Sequence, residues 1–260
     1  MNTWKRIILL VGICFSTFNL SAHNLEQSIN SEDRSIDNKA RDSYRHPYET
    51  LKFFGINPKM TVVELAPGGG WYTEILSIYM YDEGRLITAA YDPTKGSYYK
   101  RSTDAFKKKL KSKDHYNKVE VVYLGSKLAE DRTIDAVLTF RNLHNWLGTE
   151  IETIFKQSYS SLKPGGVFGV VEHRAKPGTS MEAMKSSGYV TEKLAIDLAL
   201  KTGFELVAKS EINANAKDSK DHPKGVWTLP PSYRLKDKDR DKYSDIGESD
   251  RMTLLFKKPL

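Results

Sequence analysis

The run Val62-Val63-Glu64-Leu65-Ala66-Pro67-Gly68-Gly69-Gly70 passes from apolar residues through an acid to three consecutive glycines. It reads as a buried strand closed by Glu64, a glycine-rich turn, and a helix beginning at about Trp71. A turn without side chains lets a ligand lie directly against the backbone. The helix behind it presents free N–H groups and a positive dipole end to that ligand. Folds of the α/β class hold nucleotide-like molecules in this way, at the carboxyl ends of parallel strands. A glycine run alone is equally a tight turn, so the flanking pattern carries the argument.

That pattern repeats. Apolar segments of strand length at 61–65, 85–91, 119–124, 135–140 and 167–172 alternate with helical spacing at 71–81, 99–111, 149–162 and 189–201. The 135–140 segment is almost all apolar, as a central parallel strand covered on both faces must be. Two further strands, 204–210 and 252–257, bring the number to seven. The expected fold is α/β: a Rossmann-like, doubly wound, seven-stranded and mostly parallel sheet with helices on both faces and the last strand antiparallel. Upstream, 41–54 has helical spacing ended by Gly55, and 23–40 is polar and reads as a flexible lead-in. One domain is expected over 41–260. It carries a long polar insertion at 211–251, and a connection that long is functional or disordered.

The N-terminus has the three parts of a secretory signal peptide over 1–22. Lys5 and Arg6 precede an apolar stretch over 7–18, and Leu20-Ser21-Ala22 offers a cleavage point. The apolar stretch is too short to span a bilayer comfortably, although an uncleaved anchor is the alternative. The one cysteine, Cys14, lies inside it, and Ile13 is a poor match to a lipoprotein cleavage site. Removal of 1–22 leaves no cysteine, hence no disulfide, thiol nucleophile or cysteine metal site. The expected location is outside the cytoplasm, in the periplasm, with no stable membrane insertion after cleavage. The 260 residues are enough for one well-buried α/β domain. The net charge of +7 falls by two with Lys5 and Arg6, and runs such as Lys107-Lys108-Lys109 read as a solvated helix face. No basic patch is interleaved with aromatics, so no nucleic-acid partner is expected.

Four motifs carry a family resemblance. They are Glu64-Leu65-Ala66-Pro67-Gly68-Gly69-Gly70 after the first strand, Asp92 at the end of the second, Phe140-Arg141-Asn142-Leu143-His144-Asn145-Trp146 after the fourth, and Leu162-Lys163-Pro164-Gly165-Gly166 before the fifth. From residue 41 onward the chain resembles the class I S-adenosylmethionine-dependent methyltransferases, and more narrowly bacterial methyltransferase-like proteins that carry export signals. The resemblance implies S-adenosylmethionine as cofactor, held by Glu64, Ala66, Gly68, Gly70, Asp92, Phe140 and Arg141. Asp92 lies 24 positions after Gly68, near the roughly 20-residue spacing of a ribose-binding acid in comparable folds. One departure is Ala66, which replaces the first glycine. Alanine resists a left-handed backbone, and Pro67 pushes the residue before it toward an extended one, so a differently shaped turn is expected.

Polar residues crowded behind a buried strand are costly unless they serve a site or a capped turn. Arg141, Asn142, His144, Asn145 and Trp146 follow strand four, and Glu172-His173-Arg174 end strand five beside them. Methyl transfer needs alignment and, for a protonated nucleophile, a base. His144 is the first candidate base, His173 the second, and Asn142 a third catalytic candidate. Arg174, Glu172, Trp146 and Trp227 are candidate substrate contacts, with Arg141 or Arg174 suited to an anion and Trp227 suited to a lid. The plainer alternative is that these groups pair with one another and cap loops. His144, Glu172 and His173 follow no recognised ligand spacing, so no metal is expected. Two functions stay open: an exported methyltransferase acting on a small molecule or envelope component, and an exported ligand-binding protein that kept the fold without the reaction. Asp92 and the glycine turn favour the first; Ala66 and the need for cofactor outside the cytoplasm favour the second.

Overall fold

A computed structural model of the chain describes residues 24–260; the leader expected over 1–22 lies outside the described residues. The N-terminal region holds α1 (Leu25–Asn30), α2 (Ile36–Lys39), α3 (Asp42–Arg45) and α4 (Pro47–Phe53). Then come β1 (Thr61–Leu65), α5 (Trp71–Tyr79), β2 (Arg85–Ala90), α6 (Ser97–Leu110), β3 (Glu120–Tyr123) and β4 (Ile134–Phe140). The second half contains α7 (Thr149–Ser161), β5 (Leu162–His173), α8 (Met181–Ser187), α9 (Glu192–Thr202), β6 (Glu205–Ser210), β7 (Pro223–Val226), α10 (Arg240–Ile246) and β8 (Arg251–Lys257).

Seven of these strands form one sheet in the order β3-β2-β1-β4-β5-β8-β6. The first five neighbours pair in parallel, while β8 runs antiparallel to both β5 and β6. The expected doubly wound sheet with its last strand reversed is therefore what the chain forms. Period-two alternation sorts its side chains. Val62, Ala136 and Leu138 face a core shared with α1, α4 and α5, whereas Val63, Leu65 and Val137 face one shared with α7 and α9. β4 is buried along its length except at Asp135. That carboxylate accepts Thr61 N at 2.8 Å and Lys163 Nζ at 2.6 Å, fastening the starts of β1 and β5 to β4.

Two expectations need correction, and a third point left open in the sequence is decided. Residues 24–40 are a packed cap and not a flexible lead-in. Asn24 and Gln27 form a reciprocal capping box, and Leu25 and Ile29, one helical turn apart, are buried against α4 and α5. Two apolar residues in a polar stretch are too faint a stripe to stand out in sequence. The single helix expected over 41–54 is broken at His46, whose backbone is left-handed (φ 42°), and Pro47 starts α4 as its first residue, where its missing N–H costs nothing. The 211–251 insertion is ordered by buried polar contacts. Asn213 donates to Thr50 and Thr253, and Asp218 accepts from Tyr189, His222 and the Asp250 N–H. If the cap is part of the cooperative fold, Ile29→Ala will lower the unfolding free energy by about 2–4 kcal/mol, read from urea denaturation; an unchanged midpoint would return 24–40 to a loose lead-in.

Candidate active site

The carboxyl ends of β1, β2, β4 and β5 meet where the strand order reverses, with β1 leading to β2 on one side and pairing with β4 on the other. Ligands of open α/β sheets bind at such a switch point. Glu64 on β1 points to the α5 face, is 2% exposed, and accepts Thr73 Oγ1 at 2.6 Å. Burial pushes its carboxyl up to about 7, against the Thr73 hydrogen bond and the charges of Lys109 and Arg141. Behind it, Ala66, Gly68 and Gly70 all have left-handed backbones (φ 45°, 58° and 74°). Ala66 therefore takes the conformation that Pro67 was expected to deny it. Its N–H donates to Ala89 O at 2.9 Å, and its carbonyl accepts Asn142 Nδ2 at 3.3 Å, so the strained residue is held from both sides. A Cβ at Gly68 would meet nothing within 4 Å, while one at Gly70 would meet the Phe106 ring at 3.0 Å. The turn is open over Gly68 and packed behind Gly70.

Asp92 lies just past β2. Thr94 bonds its Oδ1 through both its hydroxyl (2.7 Å) and its N–H (2.9 Å), and these two bonds hold the carboxyl below the usual range. Among the described residues, Oδ2 accepts no hydrogen bond from the protein. Asp92 shares a cleft of about 340 Å³ with Tyr91, Leu124, Gly125 and Glu150.

After β4 and β5 the residues sort unevenly. His144 Nδ1 lies 3.0 Å from Glu172 Oε1, and Glu172 is fully buried. Glu172 also accepts the backbone N–H groups of His144 and His173, so it acts as the acceptor here, which assigns a proton to Nδ1 and the lone pair of the neutral ring to Nε2. His173, 5.3 Å away centroid to centroid, bonds Ser249 Oγ through Nδ1 at 2.5 Å. Burial first, then the neighbouring His144 ring and the charges of Arg141, Arg251 and Arg45, lower its pKa well below the usual value and keep it neutral. Trp227 of the insertion sits edge-on to His144, with ring centroids 5.9 Å apart. One ligand atom each from His144, Glu172 and His173 falls within 4.8 Å of the others, a set that a metal ion could draw together. The same arginines that disfavour a proton on His173 also disfavour a cation here.

Several expected contacts belong to the framework. Glu172 orients His144, facing its Nδ1 at 3.0 Å and accepting its backbone N–H at 3.4 Å. Asn142 donates to the carbonyls of Leu65 and Ala66 and to Thr139 Oγ1, tying β4 to the glycine turn. Phe140 stacks on Tyr72 at 3.5 Å, and Trp146 packs in the core on the α7 side of the sheet. Arg174 is committed to Asp250, Glu192 and Glu211 at 2.7–3.1 Å. Arg141, the left-handed residue after β4 (φ 62°), turns its guanidinium into a buried group that sequence reasoning missed. There Glu248 receives Arg41 at 2.7 Å, Arg45 and Arg251 at 3.2 Å, and Arg141 at 3.9 Å. Burial favours the neutral form of Glu248, but the four cations overcome it and hold the carboxyl at about 2. Arg41 and Arg45 lie 207 and 203 positions from Glu248, whereas Arg251 lies 3 away, so no local motif announces the group as a whole.

No family model matches the chain, and no curated protein matches it in sequence. Solved structures match by fold. A SAM dependent methyltransferase from Aquifex aeolicus superposes with a TM-score of 0.57 at 15% identity, covering 90% of this chain and 98% of that one. The [4+2]-cyclase SpnF gives 0.61 at 13% identity, with 91% and 92% covered. Geranyl diphosphate methyltransferase, in complex with SAM, gives 0.58 at 10% identity, with 90% and 94% covered. The Rossmann-like methyltransferase fold is thereby shown. A cyclase among the three illustrates that this fold does not by itself set the reaction.

Two outcomes follow from the geometry. Ala66→Gly removes the roughly 1–2 kcal/mol cost of a left-handed alanine, offset by about 0.4–1 kcal/mol of added unfolded-state freedom; chemical denaturation should show equal or higher stability, and a clear loss would contradict the strained turn. Glu248→Gln strips four guanidiniums of their shared anion and should cost about 3–5 kcal/mol at neutral pH. Because folding lowers the Glu248 pKa from 4.5 to about 2, its stabilisation is present above about 4.5 and lost as pH falls toward 2. The gap between wild type and variant should close over that window, and a pH-independent gap would contradict the assignment.

Proposed function

We propose that this chain is an S-adenosylmethionine-dependent methyltransferase, exported to the periplasm, that methylates a small-molecule or envelope acceptor. The observation that carries the reading is the pairing, at one switch point, of an open glycine turn flanked by Glu64 and Asp92 with the His144–Glu172 dyad. Export rests on the basic and apolar leader alone. The chain's own residues fit the cofactor. Asp92 has an oxygen free for ribose hydroxyls, Gly68 leaves room for close approach, and the buried Glu64 carboxyl gains from a cationic ammonium beside it. The carbonyls of Leu65 and Ala66 are shared with the Asn142 amide, which supports Glu64 as the main partner of the ammonium.

When bound, the cofactor supplies an electrophilic methyl group on a sulfonium. The protein's part is alignment and removal of a proton. His144 Nε2 takes the acceptor's proton, and Glu172 stabilises the imidazolium that forms and keeps the ring in place. A positioned base of this kind contributes about 10²–10⁴ in rate. His173, neutral and tethered to Ser249, packs against the dyad and contributes no charge. Trp227 closes the side of His144 and limits access of water.

Calorimetric titration with S-adenosylmethionine and S-adenosylhomocysteine tests this reading. Micromolar binding that Asp92→Ala abolishes is the expected result, and no binding of either compound at millimolar concentration would overturn it. The Glu64 carboxyl, near 7 in the free protein, must ionise to pair with the ammonium, so binding releases a proton. Affinity should therefore rise from pH 5 to about 7, by up to roughly tenfold per unit, and level off above. A flat profile would remove Glu64 from the cofactor site.

A further inference from the structure

Four guanidiniums converge on Glu248 from three separate parts of the chain: Arg41 and Arg45 at α3, Arg141 behind β4, and Arg251 at the start of β8. Their side chains are 24%, 3%, 19% and 3% exposed, and that of Glu248 is 4% exposed. The neighbouring carboxylates have cations of their own. Asp42 pairs with Arg34, Asp250 with Arg174 and Lys220, and Glu74 with Lys109. The cluster thus holds four positive charges against one negative charge, largely out of water, where unpaired charge is strongly disfavoured. The donors are not used up either. Arg251 is engaged by Glu248, Ser249 O and Tyr44 O. By contrast, the buried Nη1 of Arg45 has no partner, and Arg141 reaches Glu248 only at 3.9 Å.

We propose that Arg41, Arg45 and Arg141, braced by Arg251 and Glu248, form a recognition pocket for a multiply charged oxyanion, a phosphate ester or polycarboxylate, carried by the methyl acceptor. Planar guanidinium forks match both oxyanions in two-point contacts. Three excess charges call for more than the single carboxylate that the cofactor carries, which points to a second ligand. The position suits an acceptor, since Arg141 lies three residues before His144 and its charge acts on both Glu64 and His173. The partly exposed Arg41 and Arg141 form the approach, with Arg45 at the buried end. The assignment to an acceptor rests on the methyltransferase reading; the anion pocket itself does not.

The test uses inorganic phosphate and citrate as probes on the purified protein, at constant ionic strength set with sodium chloride. Thermal unfolding should rise saturably by several degrees with either probe and not with chloride alone. Arg41→Gln, which removes one of the excess charges, should unfold no earlier than wild type without ligand yet bind phosphate at least ~10-fold more weakly, with Arg41→Lys between the two. Saturating S-adenosylhomocysteine should leave phosphate affinity unchanged. Absence of any anion-specific shift, or wild-type phosphate binding in Arg41→Gln, overturns the pocket. Competition between phosphate and S-adenosylhomocysteine assigns the arginines to the cofactor and overturns the acceptor site. Phosphate binding with no S-adenosylhomocysteine binding keeps the pocket and overturns the methyltransferase reading instead.

Discussion

Glu248 is the carboxylate to which the separate parts of this molecule are tied. The N-terminal cap reaches it through Arg41 and Arg45, the end of β4 through Arg141, and β8 through Arg251. A buried charge must be paired, so each of these segments is constrained by where the others put their guanidiniums. The insertion before β8 delivers Glu248, and Asn215 holds its carbonyl at 2.7 Å. What looks like a polar loop is therefore a device that carries one anion to the cation-rich edge of the sheet.

The charged residues around the switch point divide by how fully they are compensated. Arg174 meets three carboxylates and is saturated, which makes it a fastener between β5, α9 and the insertion. Glu172 is used up in orienting His144. Asp92, the open face of the glycine turn, the far nitrogen of His144 and the spare donors of Arg45 and Arg141 are what remain. Residual bonding capacity, more than residue type, separates the groups available to ligands from those that only hold the fold.

Strain follows the same edge. Ala66 and Arg141, the residues immediately after β1 and β4, both have left-handed backbones without being glycine. The Asn142 amide and the Ala89 carbonyl hold Ala66, and the Arg141 N–H donates to Val171 O at 2.7 Å. Such conformations persist where the surroundings over-determine them, and they collect at functional sites. Local preference alone predicts the opposite for an alanine before proline, so the contacts made by its neighbours decide the shape of this turn.

Hydrophobic periodicity was enough to define the sheet. Strands such as Thr61–Leu65 and Ile134–Phe140 are legible because a strand buried on both faces must be apolar nearly throughout, and the helices between them because one face must be. The glycine turn, Asp92 and His144 are legible because each sits at a fixed place relative to a strand end. The fates of Asn142, Trp146, Glu172 and Arg174 are not, since a polar or aromatic side chain behind a strand can turn to solvent, ligand or framework with no change in the local pattern. The packed cap at 24–40 and the arginines around Glu248 were invisible for a related reason. Their meaning lies in contacts between segments that are not neighbours in sequence, reaching 203 positions for Arg45 and Glu248, and only the tertiary structure decides which buried charges share a partner and which are left with bonding capacity to spare.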